Sequence, residues 1–191
     1  RAAFERAKEN WERMQALDRF AAENADWLDD YALFMSLKDE NGGVAWENWP
    51  YGVRMREENA LQEARESLGE SISFYQFIQC LFYEQWTALR SYANERGVKI
   101  VGDLPIYVPL DSADVWSAPQ EFLLDQERRP RCVAGVPPDY FSADGQLWGN
   151  PIYDWEHMKQ TGYSWWMRRM RSACKLFDCV RIDHFRGLSS Y

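Results

Sequence analysis

The chain is 191 residues long and aromatic-rich, with ten each of Trp, Tyr and Phe and a formal net charge of −8. The negative charge argues against a nucleic-acid partner, because binding phosphates requires clustered Lys and Arg side chains. No apolar run approaches the roughly 18 residues that indicate a membrane span, so the sequence predicts no membrane partner either.

The chain has four cysteines, Cys80, Cys132, Cys174 and Cys179, and only two histidines. Because there is no CxxC pair and few histidine ligands, the sequence predicts no zinc site or other metal centre. Such unpatterned cysteines are typical of free, mostly buried thiols in a reducing compartment. We therefore expect a cytoplasmic protein.

The two ends of the sequence indicate part of a larger domain. Arg1 is not an initiator methionine, and Tyr191 follows a charged cluster with no closing element after it. A chain of this length holds either one core or part of a larger one. A mature domain released from a precursor is the alternative interpretation.

Apolar residues spaced three and four apart predict helices at residues 1–22, 24–38 and 71–96. The polar, Glu- and Arg-rich stretch at 54–68 predicts a short surface helix between the second and the last of these. Asp26 can cap the second helix. Gly97 ends the fourth as a left-handed residue. A glycine- and proline-marked loop at 40–52 separates the second helix from the third.

The second half of the chain changes to the pattern of buried strands. A β-branched run predicts a strand at 98–102, with Asp103 at its carboxyl end, because the nearby proline cannot sit in a central ladder. Residues 109–152 have little periodicity and are predicted as a long, ordered, functional loop. A helix at 155–176 and a strand at 177–182 complete a βα unit, whose crossover implies parallel strands.

Carboxylates stand at the carboxyl ends of both predicted strands, at Asp103 and Asp183. In an α/β barrel this face carries the active site. Arg181 shares a strand face with Asp183, and a guanidinium beside a carboxylate favours the ionised form that a nucleophile requires. The alternatives are an Asp that caps the next helix or turn, and a structural Arg–Asp ion pair.

His184 can donate a hydrogen bond to a substrate hydroxyl, although a capping or core histidine is the better interpretation of that residue alone. Retaining cleavage of a glycosidic bond needs two carboxyls about 5–5.5 Å apart, one as nucleophile and one as acid–base. Asp103 is a poor candidate for the acid, because nothing in the sequence would raise its pKa. The acid is therefore not identified among these residues.

Three long motifs resemble those of one known family, with "GDLPIYVPLDSADVW" at 102–116, "AGVPPDYFSADGQLWGNPIYDW" at 134–155 and "FDCVRIDHFRG" at 177–187. The family is 4-α-glucanotransferase, the amylomaltase or disproportionating-enzyme family of the α-amylase-like clan. "DWLDDYALFMSLK" at 26–38 is similar to the same family. The resemblance spans nearly the whole chain.

The resemblance implies an α/β fold, a fragment of a (β/α)8 TIM barrel with helical insertions. Residues 1–191 would be a partial catalytic domain with about the third and fourth strands, and 41–70 a helical or loop insertion. The implied reaction is transfer of α-1,4-glucan segments to the 4-hydroxyl of an acceptor, through a covalent glycosyl–enzyme intermediate. It implies maltooligosaccharides and α-1,4-glucans as partners and no cofactor or metal.

The resemblance also implies roles for individual residues. Asp183 would be the nucleophile, and Arg181 would hold it ionised. The lid at 139–141 would cover the acceptor side. The substrate-binding residues implied are Asp103, Asp139, Tyr140, Phe141, Trp148, Asn150 and His184.

The family's acid–base Glu and third catalytic Asp lie after Tyr191 by the same resemblance. We therefore expect the chain alone to be inactive. Half a barrel also leaves open sheet edges, so we expect it to associate with the remaining barrel segment or with itself.

Three alternatives stay open from the sequence. A retaining α-glucan hydrolase would use the same nucleophile with water as acceptor. A glucan-binding module would use the aromatic residues without chemistry. An interaction or folding fragment would do neither.

Overall fold

The computed structural model describes residues 1–138, 140 and 142–188, apart from the side chain of Arg186. The chain divides into two compact units, Arg1–Ala88 and Leu89–Tyr191. The boundary falls inside a long helix, so the two units share one continuous backbone element.

The first unit is helical. Its elements are α1 (Ala2–Lys8), α2 (Trp11–Glu23), α3 (Ala25–Glu40), a 3-10 turn (Trp46–Asn48), α4 (Tyr51–Arg54), α5 (Glu58–Ser67) and most of α6 (Gly69–Glu95). The third predicted helix is therefore shorter than expected, and the predicted loop at 40–52 contains helical turns. One core cluster consists of Phe4, Ala7, Leu17, Phe77 and Cys80. Burying a Phe or Leu side chain of this kind contributes about 1.5–3 kcal/mol.

Two details of the predicted helices are wrong. The helix expected at 1–22 breaks at Asn10, whose extended backbone and side chain start a new helix by accepting a hydrogen bond from the Arg13 N–H at 3.0 Å. Asp26 does not cap α3, because the N-cap residue is Asn24. The Asn24 side chain donates instead to the Phe20 carbonyl.

The second unit contains both sheets. Its elements after α6 are β1 (Val101–Leu104), α7 (Ala113–Ser117), a 3-10 turn (Pro119–Glu121), β2 (Val133–Val136), β3 (Gln146–Pro151), α8 (Trp155–Gln160), α9 (Ser164–Leu176), β4 (Cys179–Ile182) and a 3-10 turn (Phe185–Leu188). Strands β1 and β4 pair in parallel, which confirms the predicted crossover. Strand β1 begins three residues later than predicted, so Asp103 lies within it.

The predicted loop and helix that follow β1 are also more structured than expected. Residues 109–152 contain α7, a 3-10 turn and the antiparallel β2–β3 pair. These two strands are consecutive in the chain, but neither shows the two-residue alternation that would reveal their pairing. The helix expected at 155–176 is divided because Gly162 and Tyr163 are left-handed, with φ of +63° and +57°.

The Asp178 carboxylate, just before β4, accepts hydrogen bonds from the end of α6 and from the residue that precedes β1. Its Oδ1 accepts from Nε and Nη2 of Arg90 at 3.0 and 2.8 Å. Its Oδ2 accepts from the Ile100 N–H and from Asn94 Nδ2, each at 2.9 Å. These donors, the Ile100 N–H foremost, hold the pKa of Asp178 well below its usual range.

The chain is α/β, with one parallel and one antiparallel two-stranded sheet, and its described residues do not form a closed barrel. None of the helices in the described part is long and apolar enough to cross a membrane. All four cysteines are free, but only Cys80 is buried, so the expectation of mostly buried thiols is wrong. Cys132, Cys174 and Cys179 lie on the surface of this chain.

Candidate active site

A cleft of about 420 Å³ opens at the carboxyl ends of β1 and β4. It brings together five of the residues that the sequence singled out: Asp103, Trp148, Asn150, Asp183 and His184. The carboxyl ends of β1 and β4 lie at the same edge of the sheet because the two strands are parallel. The remaining lining residues are Pro105, Ile106, Tyr107 and Pro109.

Asp103 and Arg181 are partners in the parallel register and form a bidentate ion pair across the two strands. Nε of Arg181 donates to Oδ1 of Asp103 at 3.0 Å, and Nη2 donates to Oδ2 at 2.6 Å. The Arg181 hydrogen bonds lower the pKa of the Asp103 carboxyl. Asp103 is therefore an ionised group and a poor general acid.

The strand pattern predicted the Arg181 guanidinium beside Asp183, whereas both of the hydrogen bonds described for it go to Asp103. The reason is that β4 ends at Ile182, so the two-residue alternation of the strand does not extend to Asp183. Asp183 still acts on Arg181 through charge. The Asp103 hydrogen bonds and charge raise the pKa of that guanidinium most, and the Asp183 charge raises it further.

Asp183 and His184 form the turn that leaves β4. The Asp183 Oδ1 accepts a hydrogen bond from the His184 backbone N–H at 2.9 Å. His184 has a left-handed backbone, with φ of +50°. A non-glycine residue in this region costs about 1–3 kcal/mol, and such residues cluster at functional sites. Both side chains are exposed to the cleft.

An irregularity in β3 presents Trp148 and Asn150 to the cleft. Three residues of β3 stand opposite one residue of β2, and the middle one, Gly149, has φ of +78°. Bulges of this kind redirect side chains. The Trp148 ring meets the His184 ring edge-on, with centroids 4.7 Å apart. Asn150 Nδ2 donates to the Val108 carbonyl at 2.9 Å.

Of the three residues predicted as a lid, Tyr140 is described, and it does not line the cleft. Tyr140 is 97% exposed. Asp139 and Phe141 lie outside the described residues. The cleft is also lined by Pro105, Ile106, Tyr107 and Pro109, which follow β1 and were not predicted as site residues. The apolar run that continues past Pro105 was the feature of the sequence that could have indicated them.

In the part of the chain that the structure describes, no group of three or more His, Cys, Asp or Glu side chains could hold a metal ion. The chemistry that the described cleft offers is that of two carboxylates, one imidazole and aromatic faces.

Residues 1–191 match a family model described as 4-alpha-glucanotransferase. The chain belongs to the 4-alpha-glucanotransferase family. This agrees with the resemblance noted in the motifs around Asp103, Trp148 and Asp183.

The chain is similar along most of its length to curated 4-alpha-glucanotransferases. It is 52% identical to that of Thermus thermophilus over 180 residues, which cover 94% of this chain and 36% of the relative. It is 48% identical to that of Aquifex aeolicus, covering 98% of this chain and 39% of the relative. The chain thus spans little more than a third of the length of these 4-alpha-glucanotransferases.

A solved structure has the same fold over this region. The amylomaltase from Streptococcus agalactiae in complex with acarbose superimposes with a TM-score of 0.92 at 43% identity, covering 98% of this chain and 38% of that one. The arrangement of helices and strands described above is therefore that of a 4-alpha-glucanotransferase family member.

Proposed function

We propose that the protein containing this chain is a 4-alpha-glucanotransferase that moves α-1,4-glucan segments to the 4-hydroxyl of an acceptor glucan or glucose. The observation that carries the proposal is the position of Asp183. It follows a parallel strand and lines the same cleft as Asp103, Trp148 and His184. The family match and the names of the relatives support the same activity.

We infer that β1 and β4 are neighbouring strands, about the third and fourth, of a (β/α)8 barrel of the α-amylase-like clan. The parallel pairing and the likeness to an amylomaltase support this architecture. On this reading residues 1–191 are part of the catalytic domain. Residues 41–70, which contain α4, α5 and a 3-10 turn, are an insertion.

In the proposed reaction, an Asp183 carboxylate oxygen forms a bond to the anomeric carbon of the donor sugar. The bond from that carbon to the glycosidic oxygen breaks, and the departing 4-oxygen takes a proton from a general acid. The acceptor's 4-hydroxyl then attacks the same carbon, gives its proton to the general base, and releases the Asp183 carboxylate. Two inversions retain the α configuration.

The other cleft residues have supporting roles in this proposal. Arg181 supplies a positive charge near the Asp183 carboxylate, because the two side chains interact electrostatically. Asp103 and His184 bind sugar hydroxyls on the donor side. The Trp148 ring and the Asn150 amide contact the sugar from β3. The exposed ring of Tyr140 stacks on the acceptor and displaces water, which favours transfer over hydrolysis.

The general acid–base and a third catalytic carboxylate are proposed to lie outside this chain. The chain covers little more than a third of its 4-alpha-glucanotransferase relatives, which leaves room for both. We therefore propose that the chain alone is inactive and that its glucan-binding cleft is completed by the rest of the barrel. The free thiols support a reducing compartment, and we infer the cytoplasm.

Incubating the full-length protein with maltotriose tests the proposal. We expect longer maltooligosaccharides together with glucose, resolved by chromatography, and little increase in reducing ends. Asp183→Asn should lower this activity by about 1,000-fold or more. Asp18→Asn, an exposed change on α2, is the matched control and should be neutral.

Two results would contradict the proposal. Release of glucose and maltose without longer products would indicate an α-glucan hydrolase. Activity that survives Asp183→Asn would refute the assignment of the nucleophile.

A further inference from the structure

Two side chains from outside the cleft hold its wall by their hydrogen bonds to backbone carbonyls. We call residues 105–108, which follow β1, the wall segment. Arg169, on α9, donates from Nη2 to the Pro105 carbonyl at 2.5 Å and from Nη1 to the Ile106 carbonyl at 3.3 Å. The Tyr153 hydroxyl donates to the same Ile106 carbonyl at 2.7 Å and accepts from Arg169 Nη1 at 3.1 Å.

The wall segment needs these partners because it is irregular and buried. Ile106, Tyr107 and Val108 are only 4–6% exposed. A buried carbonyl without a hydrogen bond is costly, and residues 105–108 lie outside the strands of the described part of the chain. The third carbonyl, that of Val108, accepts from Asn150 Nδ2. Three side chains thus determine where this backbone lies.

The Tyr153–Arg169 pair is itself held firmly. Tyr153 is 1% exposed and lies among the rings of Phe122, Trp165 and Trp166, with centroids 5.3–5.5 Å away. The guanidinium carbon of Arg169 lies 5.0 Å from the centre of the Trp166 ring. Burial raises the pKa of Tyr153, so its hydroxyl keeps the proton that it donates.

A row of ring contacts leads from this pair to the cleft. Tyr153 stacks on Tyr107 with centroids 5.7 Å apart. Tyr107 meets Trp148 at 6.4 Å, and Trp148 meets His184 at 4.7 Å. A shift of the wall segment therefore displaces the two aromatic side chains that stand beside Asp183.

We propose that Arg169 and Tyr153 are positioning residues for glucan binding: they clamp the wall segment so that Tyr107 holds Trp148 and His184 in place for the sugar. Neither side chain lines the described cleft, so both act through the wall segment. This inference rests on the proposed glucanotransferase function.

The test measures binding of maltoheptaose by calorimetry to the full-length protein carrying Asp183→Asn, which prevents turnover. Adding Arg169→Met should weaken binding about tenfold, because two charge-assisted hydrogen bonds to the wall are lost. Tyr153→Phe should weaken it about threefold. Their combination should fall short of the product of the two effects, because the residues share the Ile106 carbonyl. Arg171→Met removes the same charge from an exposed position on α9 and should leave the affinity unchanged.

Affinity and stoichiometry separate positioning from folding. A merely structural role lowers the fraction of binding-competent protein, and hence the stoichiometry, without changing the dissociation constant of the folded molecules. If Arg169→Met is insoluble, the dissociation constant of Tyr153→Phe is the deciding measurement, because this substitution keeps the ring and removes only the hydroxyl.

An unchanged dissociation constant in Tyr153→Phe and in soluble Arg169→Met would overturn the inference and leave the proposed function intact. If the Asp183→Asn protein does not bind maltoheptaose and the parent makes no longer saccharides from maltotriose, the proposed function fails and the inference falls with it.

Discussion

Arg181 pairs with Asp103, the residue directly opposite it in the parallel β1–β4 register, through two hydrogen bonds of 3.0 and 2.6 Å. The two opposite charges of this pair offset each other at the carboxyl edge of the sheet. Arg181 is still close enough to Asp183 for their charges to interact. One guanidinium therefore orients the Asp103 carboxylate, a proposed substrate-binding group, by hydrogen bonds and acts on the proposed nucleophile through charge.

If Asp103 and Arg181 act as a unit, their substitutions will not add. Arg181→Lys removes the two-pronged donor, and Asp103→Asn removes the charge that holds it. We expect each to lower kcat/KM for maltotriose disproportionation by tenfold or more, because a two-pronged, charge-assisted contact is lost. The double variant should be little worse than the poorer single one.

Arg13→Lys is the control for this pair, because Arg13 forms a similar bidentate pair with Glu84 in the first unit. It should leave kcat/KM unchanged. Multiplicative losses in the double variant would show instead that Asp103 and Arg181 contribute independently.

The left-handed backbone of Gly149 should matter for substrate binding. With φ of +78°, an added Cβ meets no atom within 4 Å, so Gly149→Ala has a backbone cost alone, about 1–2 kcal/mol. Relief of that strain should displace Trp148 and Asn150 and raise KM for maltotriose several-fold. Gly149→Asn should recover part of the loss, since Asn tolerates this conformation.

Gly162→Ala is the matched control, with φ of +63° and equally open surroundings between α8 and α9. It should lower the thermal midpoint by a similar amount at constant KM. Equal KM values in the two alanine variants would show that the β3 irregularity does not position the cleft residues.

Asp178 should contribute to stability above the pKa of an unfolded aspartate, near 3.9. Its pKa is lowered in the folded chain, so its contribution is fully present at neutral pH and is lost as the pH falls towards the folded value. We expect Asp178→Asn to lower the thermal midpoint of the full-length protein by several degrees at pH 7.

The difference between Asp178→Asn and the parent should shrink below about pH 4, where the carboxyl of the unfolded parent begins to take up its proton while that of the folded parent stays ionised. Differential scanning calorimetry between pH 3 and 7 measures this trend, with Asp18→Asn as the exposed control. A difference that is the same at every pH would contradict the linkage.

Gly102 is required by the approach of a neighbouring ring. A Cβ at this position would lie 2.0 Å from Cδ2 of Phe177, which precedes β4. Gly102→Ala should therefore lower the free energy of unfolding of the full-length protein by about 1–3 kcal/mol, as overpacking does. Chemical denaturation measures this cost, and adding Phe177→Leu should return part of it. Gly69→Ala, with nothing within 4 Å, should not destabilise. An equally neutral Gly102→Ala would contradict this packing.

Local patterns were enough to find most helices and the parallel strand pair. Residues 71–96 show a three-and-four spacing that needs no partner to be recognised, and α6 covers nearly that range. The break at Asn10 was missed because the apolar face continues through it, while the cap depends on a single side-chain hydrogen bond. The β2–β3 pair was missed because neither strand shows a two-residue alternation and because three residues of β3 stand opposite one residue of β2.

The sequence by itself determined the chemistry available to this protein: Asp103 and Asp183 at strand ends, aromatic residues beside them, and motifs that identify the family. Tertiary structure alone decided the partnerships. The parallel register pairs Arg181 with Asp103. The packing of α9 brings Arg169, and the segment between β3 and α8 brings Tyr153, to the carbonyls of the wall segment. The physical reason is that residue type and period are local, whereas a hydrogen-bond partner tens of residues away is chosen by how strands and helices pack.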